Sequence, residues 1–231
     1  MSIGENVARI KAEIAQAAIA AGRDPKDILL CAATKMNDAQ AVREAIAAGV
    51  DCCGENRVQE MTLKLSQNAY TGAPVHFIGH LQTNKVKQVV GKVDLIQSVD
   101  SLRLLEAINK EAEKQGIVQN VLLEINVAKE ESKSGFAMED VESILCKMGG
   151  FPSIRVLGFM AIPPICQNST ENSKFFQKMY NLSVDIMAKK YDNVCVTILS
   201  MGMSGDFADA IACGSTMIRV GTAIFGARDY S

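Results

Sequence analysis

Lys35 follows the apolar run Ile28-Leu-Leu-Cys-Ala-Ala-Thr34, and its nearest acidic neighbour in the chain is Asp38. A lysine amine held in a closed, weakly polar pocket has a lowered pKa and attacks aldehydes to form imines. The plainer alternative is a lysine that snorkels at a strand end. Arg219 sits inside another apolar run, Met217-Ile-Arg-Val220. A buried arginine needs acceptors. Either a core salt bridge supplies them, with Glu124 as the candidate partner, or a ligand anion or ring nitrogen does. Two short apolar runs in this region end in loops of small residues, Ser200-Met-Gly-Met-Ser-Gly205 and Gly221-Thr222. Backbone N–H groups in such loops can approach a phosphate closely. A phosphorylated ligand is therefore the first class to consider.

Three further residues stand where they could meet such a ligand. His80, in Val75-His-Phe-Ile-Gly-His80, can stack on a planar group or bond to it, or else cap the helix expected near Thr83. Asn56, in Gly54-Glu-Asn-Arg57, can offer its amide to a ligand oxygen or cap a helix, and Met160 ends another apolar run. Gly79, Gly135 and Gly158 read as tight turns. His76, four residues before His80, is expected at the opposite end of the fold. With two histidines and no Cys-x-x-Cys, no metal site is expected, and the 7 cysteines read as buried free thiols of a reducing compartment.

The elements that must position these groups alternate along the chain. Strand-like runs recur at 28–33, 50–53, 75–78, 95–97, 121–126, 156–160, 194–199 and 217–220. Helical spacing of apolar residues fills the gaps at 39–48, 56–65, 102–114, 138–148, 174–188 and 207–213. Asn37-Asp38 and Asp100-Ser101 are natural N-caps, and Gly49 and Gly116 natural stops. Repeated strand–helix units imply parallel strands joined by crossover helices. Eight of them in 231 residues predict an α/β fold, a single (β/α)8 TIM barrel forming one domain over 1–231. An extra helix over 7–20 precedes the first strand and is expected to plug the N-terminal mouth. In such a barrel the strand C-termini form the active-site face, and the loops after strands 7 and 8 often bind phosphate. No G-x-G-x-x-G follows the first run, which weakens a dinucleotide fold. The net charge of −2 gives no electrostatic reason to expect nucleic acid or anionic membrane. No apolar run approaches the roughly 18 residues of a membrane span.

Several motifs occur together: the lysine after the first strand, Gly54–Glu60 (GENRVQE), His76–Lys85 (HFIGHLQTNK), Ser132–Phe136 (SKSGF), Gly158–Pro164 (GFMAIPP) and the long block Leu199–Arg228. In this combination the chain resembles, from end to end, the pyridoxal phosphate homeostasis protein family, also called YggS-like. The resemblance implies a barrel like the N-terminal domain of alanine racemase, with pyridoxal 5′-phosphate bound through an imine to Lys35. It implies that Ser200, the Met201 backbone, Gly221 and Thr222 hold the phosphate, that Arg219 faces the pyridine nitrogen, and that Asn56, His80 and Met160 line the ring pocket. One departure is the sequence Ala-Ala-Thr-Lys-Met, where the family more often has serine before the lysine and threonine after it. Thr34 keeps the hydroxyl; Met36 removes a polar group.

A guanidinium at the ring nitrogen opposes its protonation and weakens the ring as an electron sink. A racemase also needs a second acid or base opposite the lysine; in alanine racemase this is a tyrosine from the partner subunit's C-terminal domain. The 231 residues leave no room for that domain. Tyr70, Tyr180, Tyr191 and Tyr230 lie at no predicted strand end. The resemblance thus implies a cytoplasmic, monomeric protein that buffers the cofactor or delivers it to pyridoxal-phosphate-dependent apoenzymes, without robust turnover. The alternative is a racemase of the alanine-racemase type.

Overall fold

Eight parallel strands close into a barrel in sequence order: β1 (Leu29–Ala33), β2 (Cys52–Glu55), β3 (Val75–Phe77), β4 (Leu95–Val99), β5 (Gln119–Glu124), β6 (Ile154–Met160), β7 (Val194–Ser200) and β8 (Met217–Val220). The computed structural model describes residues 1–130, 133–164 and 169–226, without the side chains of 169 and 170. Ser132, Cys166, Arg228 and Tyr230 lie outside the described residues. Closure comes from β8 pairing with β1, Cys31 opposite Arg219 and Ala32 opposite Val220. The helices are α1 (Ile3–Ala20), α2 (Ala39–Ala47), α3 (Val58–Ser66), α4 (Leu102–Gln115), α5 (Val141–Leu145), α6 (Ser169–Met187), α7 (Phe207–Ala212) and α8 (Thr222–Phe225).

The strands have two apolar faces, as a barrel wrapped in helices requires. One set, including Leu30, Ala32, Cys53, Phe77 and Ile96, packs in the large core beneath the helices. The other set forms two small clusters, Cys31, Cys52, Ile78 and Met217 in one and Leu95, Leu122 and Met160 in the other. His76, Gln97, Ser200 and Arg219 are buried as well. They share one hydrogen-bonded network, so none of them is a stranded polar group. Caps follow the sequence signals: the Asp38 carboxylate accepts from Ala41 N at 2.8 Å, and Ser101 Oγ from Leu104 N at 3.3 Å. Gly116 closes α4 in the left-handed conformation at φ 68°.

Four expectations need correction. The second strand runs from Cys52 to Glu55 and not from 50 to 53, because Glu55 is sheltered by a lysine from α3. The helix expected over 138–148 is broken into α5 and two flanking 3-10 turns, Met138–Asp140 and Met148–Gly150. The helix expected near Thr83 is a 3-10 stretch, Thr83–Gln88. Finally, α1 does not plug the barrel. Only one stripe of it is buried, Val7, Ile10, Ile14 and Ala18. That stripe suits a place in the outer ring, where α1 packs beside α2, α7 and α8. Asn6 Nδ2 donates to Ile224 O at 2.8 Å there, and α8 has only one turn. Among the cysteines, Cys31, Cys52 and Cys53 are buried free thiols, whereas Cys146 and Cys195 are exposed. No described helix is long and apolar enough to cross a membrane.

Candidate functional site

A cavity of about 260 Å3 opens at the C-terminal mouth of the barrel. Lys35, beyond β1, and Asn56, beyond β2, line it together with Met203, Ser204 and Gly205 after β7 and Arg219, Gly221 and Thr222 at the end of β8. Five of the nine residues singled out in the sequence, Lys35, Asn56, Arg219, Gly221 and Thr222, are thus gathered at one place. Lys35 is half-buried. Asn56 offers a buried side-chain oxygen, Oδ1, that has no hydrogen-bond partner among the described residues. Such a group is costly to leave unpaired and marks a place for a donor. Gly79 permits this arrangement: a Cβ there would stand 2.6 Å from Asn56 Cα. Its role is close approach more than the tight turn expected.

Arg219 is 5% exposed and is held from two sides. Its Nη1 donates to Ser200 Oγ at 2.6 Å and its Nη2 to Ala161 O at 2.9 Å. The expected partner Glu124 acts on it only through space, so the salt-bridge alternative is not the one found. Burial pushes the guanidinium below its ordinary value, opposed by Cys31, Glu124 and Asp206. An arginine stays charged through such a shift. The cavity therefore has a fixed positive charge on one side.

The other four residues stand elsewhere. Ser200 lies beneath the cavity, donating to Gln97 Oε1 at 2.7 Å while accepting from Arg219. The Met201 amide is already bonded to Met217 O at 3.1 Å. Met160 is packed with Leu95 and Leu122 inside the barrel. His80 is exposed, with Nδ1 3.0 Å from Asp100 Oδ2. The residues that line the cavity from the β7 side belong instead to the loop 203–205. Asp206 shapes that loop by accepting from Met203 N at 2.6 Å. The backbone N–H groups of Ser204, Gly205, Gly221 and Thr222 have no acceptor among the described residues.

Residues 5–229 match the family model for the alanine racemase N-terminal domain. The chain belongs to this family. A pyridoxal phosphate homeostasis protein of Aquifex aeolicus is 40% identical over 230 residues, covering 100% of both chains. A solved structure from Bifidobacterium adolescentis has a TM-score of 0.92 at 39% identity, over 96% of this chain and 94% of that one. PipY of Synechococcus elongatus, solved with PLP bound, has a TM-score of 0.84 at 31% identity, over 97% of this chain and 100% of that one. These likenesses also assign the chain to the pyridoxal phosphate homeostasis proteins, and the alanine-racemase-type barrel expected from sequence is the fold found.

Three features of this family member escaped sequence reasoning. Gln97, in the middle of β4, links His76 to Ser200. Glu124, at the end of β5 and considered from the sequence only as a partner for Arg219, has its carboxyl raised above the ordinary range by burial first and by Asp100 second. Glu55 is fully buried and accepts on Oε1 from Thr34 Oγ1 at 2.5 Å, Lys64 Nζ at 2.6 Å and Tyr70 OH at 2.9 Å. Lys64 Nζ also donates to Thr34 O at 2.8 Å, fixing the peptide that carries Lys35. The i, i+9 spacing of Glu55 and Lys64 gives no helical signal, because the pair spans a strand and the helix after it.

Proposed function

We propose that this protein binds pyridoxal 5′-phosphate at the C-terminal mouth of its barrel and holds it in reserve or for delivery, without robust turnover. The observation that carries the reading is the convergence of Lys35, Asn56, Arg219 and the open amides of 204–205 and 221–222 on one cavity. The donor set fits the cofactor: an amine for its carbonyl, amides for its phosphate, and an unpaired Asn56 Oδ1 for a donor. When bound, the cofactor supplies an electrophilic carbonyl and a conjugated ring. The amides of Ser204, Gly205, Gly221 and Thr222 would bind the phosphate, taking the part assigned in sequence to Ser200 and Met201. Lys35 would anchor the carbonyl end. Arg219, fixed by Ser200 and Ala161, would present N–H donors to the ring nitrogen and oppose its protonation.

Of the described tyrosines, Tyr70 is bonded to Glu55, Tyr180 lies on α6 and Tyr191 bonds Glu142 at 3.1 Å; none of the three lines the cavity. This favours holding over racemisation. A cytoplasmic, monomeric protein of one domain that passes its cargo to apoenzymes is the setting this reading implies.

The test is an absorbance titration with pyridoxal 5′-phosphate, followed by borohydride reduction and peptide mapping. A yellow one-to-one complex, with the reduced adduct on Lys35, is the expected result. The Lys35→Ala variant should stay colourless. A wild-type protein that gains no absorbance beyond the free cofactor would overturn the reading.

A further inference from the structure

Below the cavity the barrel holds a second set of groups that the cofactor reading does not use. Cys31 and Cys52 are register partners on β1 and β2, both buried, and His76 on β3 is buried beside them. One ligand atom from each, two sulfurs and an imidazole nitrogen, lie within 4.8 Å of one another. His76 lies below the cavity, away from His80, as its sequence position suggested, and the expectation of no metal site meets a cluster of suitable type.

We propose that Cys31, Cys52 and His76 form a binding site for one thiophilic d10 metal ion, zinc(II) or copper(I). Two thiolates and an imidazole are the donors such ions prefer. Bonds of roughly 2.3 Å to sulfur and 2.0 Å to nitrogen place the ligand atoms about 3.5–4 Å apart. The cluster reaches that spacing with small side-chain movements. Gly54 lets the Cys31 thiol take this position, since a Cβ there would stand 2.9 Å from Cys31 Sγ and 2.7 Å from Ile78 Cδ1. A further soft donor is at hand, since Met217 packs in the same cluster as Cys31 and Cys52.

Charge and protons also balance. Binding displaces one proton from each thiol to solvent, and the two thiolates neutralise zinc(II) or leave a single negative charge with copper(I). Arg219, the register partner of Cys31 on β8, offsets that charge. His76 Nδ1 lies 2.9 Å from Gln97 Nε2, which leaves Nε2 to act as the ligand. A ligating histidine carries its proton on the other nitrogen and donates it to an acceptor. A half-turn of the Gln97 amide supplies that acceptor: Oε1 then faces Nδ1, and Nε2 faces Ser200 Oγ. Ser200 in turn holds Arg219, so occupancy below is felt at the cavity above.

The test uses the purified, reduced full-length protein, titrated with zinc(II) and, in a separate arm, with copper(I) against a chromophoric chelator. Native mass measurement gives the stoichiometry, and X-ray absorption on the wild-type complex gives the donors. One ion per chain, two sulfurs and at least one nitrogen in its shell, and loss of binding in Cys31→Ser and Cys52→Ser are expected. Cys146→Ser and Cys195→Ser should bind as wild type, and Gln97→Ala should weaken binding about 10–100-fold. The proposal is overturned if neither ion binds. It is equally overturned if Cys31→Ser keeps wild-type affinity, or if the shell of the wild-type complex lacks sulfur. Because the absorption measurement needs no variant, misfolding of a mutant leaves the outcome decisive. Neither arm depends on pyridoxal 5′-phosphate.

Discussion

Replacing Lys64 by methionine strands the Glu55 carboxylate. Glu55 is fully buried, and of its three donors to Oε1 only Lys64 is charged; Oε2 has no partner among the described residues. Removing one member of a buried ion pair costs about 3–5 kcal/mol, because the remaining charge is left uncompensated. Lys64→Met also takes a donor from Thr34 O, about 1 kcal/mol within that total. For a chain of this length, a loss of about 4 kcal/mol lowers the melting temperature by about 8–16 °C. In the double variant Glu55→Gln/Lys64→Met, the amide oxygen still accepts from Thr34 and Tyr70, and no charge is buried. Its cost should fall to about 1–2 kcal/mol. Urea unfolding of wild type, single and double variants closes the comparison. The reasoning fails if Lys64→Met costs less than about 1 kcal/mol, or if the double variant is as unstable as the single one.

Other outcomes follow from the same geometry. Asn56→Ala should weaken pyridoxal phosphate binding about fivefold to tenfold, by fluorescence titration, because the unpaired Oδ1 loses its chance of a ligand donor. The same variant should not lose stability, and a gain in urea midpoint is consistent with removing an unsatisfied atom. Gly79→Ala should destabilise the fold by about 1–3 kcal/mol, since its methyl meets the Asn56 backbone. Glu124 has its folded-state pKa raised by burial, so the stability it contributes is full below the unfolded carboxylate value and is lost as pH rises through the folded one. Glu124→Gln should therefore be the more stable form at neutral pH, its advantage shrinking on acidification through the carboxylate range; an advantage that grows in acid contradicts this.

Much of the fold is legible because its signals are local. Apolar runs of three to six residues, separated by amphipathic spacing and caps such as Asp38 and Ser101, require little knowledge of what packs where. Lys35, Asn56, Arg219, Gly221 and Thr222 were readable for the same reason: each sits at or just past a strand end. What failed was non-local. The extension of β2 to Glu55 depends on a lysine nine residues away on another element. Whether the amide of Met201 is open depends on Met217 across the sheet, and His80 turns toward Asp100 instead of the cavity. The meeting of Cys31, Cys52 and His76 is likewise a property of register, which no spacing in the chain reveals.

The closure of β8 on β1 sets the order in which the binding face can come into being. Lys35 precedes Arg219 by the whole run of strands from β2 to β7, yet both line one cavity across the join between β1 and β8. No stretch of chain that stops short of β8 can assemble it, and the pairing that completes the barrel carries the largest loop-closure cost in the topology. A ligand gripped from both sides of that join acts as a clasp on the whole ring. Fraying of either strand must first break the grip, so occupancy should be reported most strongly by slower opening of β1 and β8 and of α1, which packs against α2 and α8, the helices that follow them.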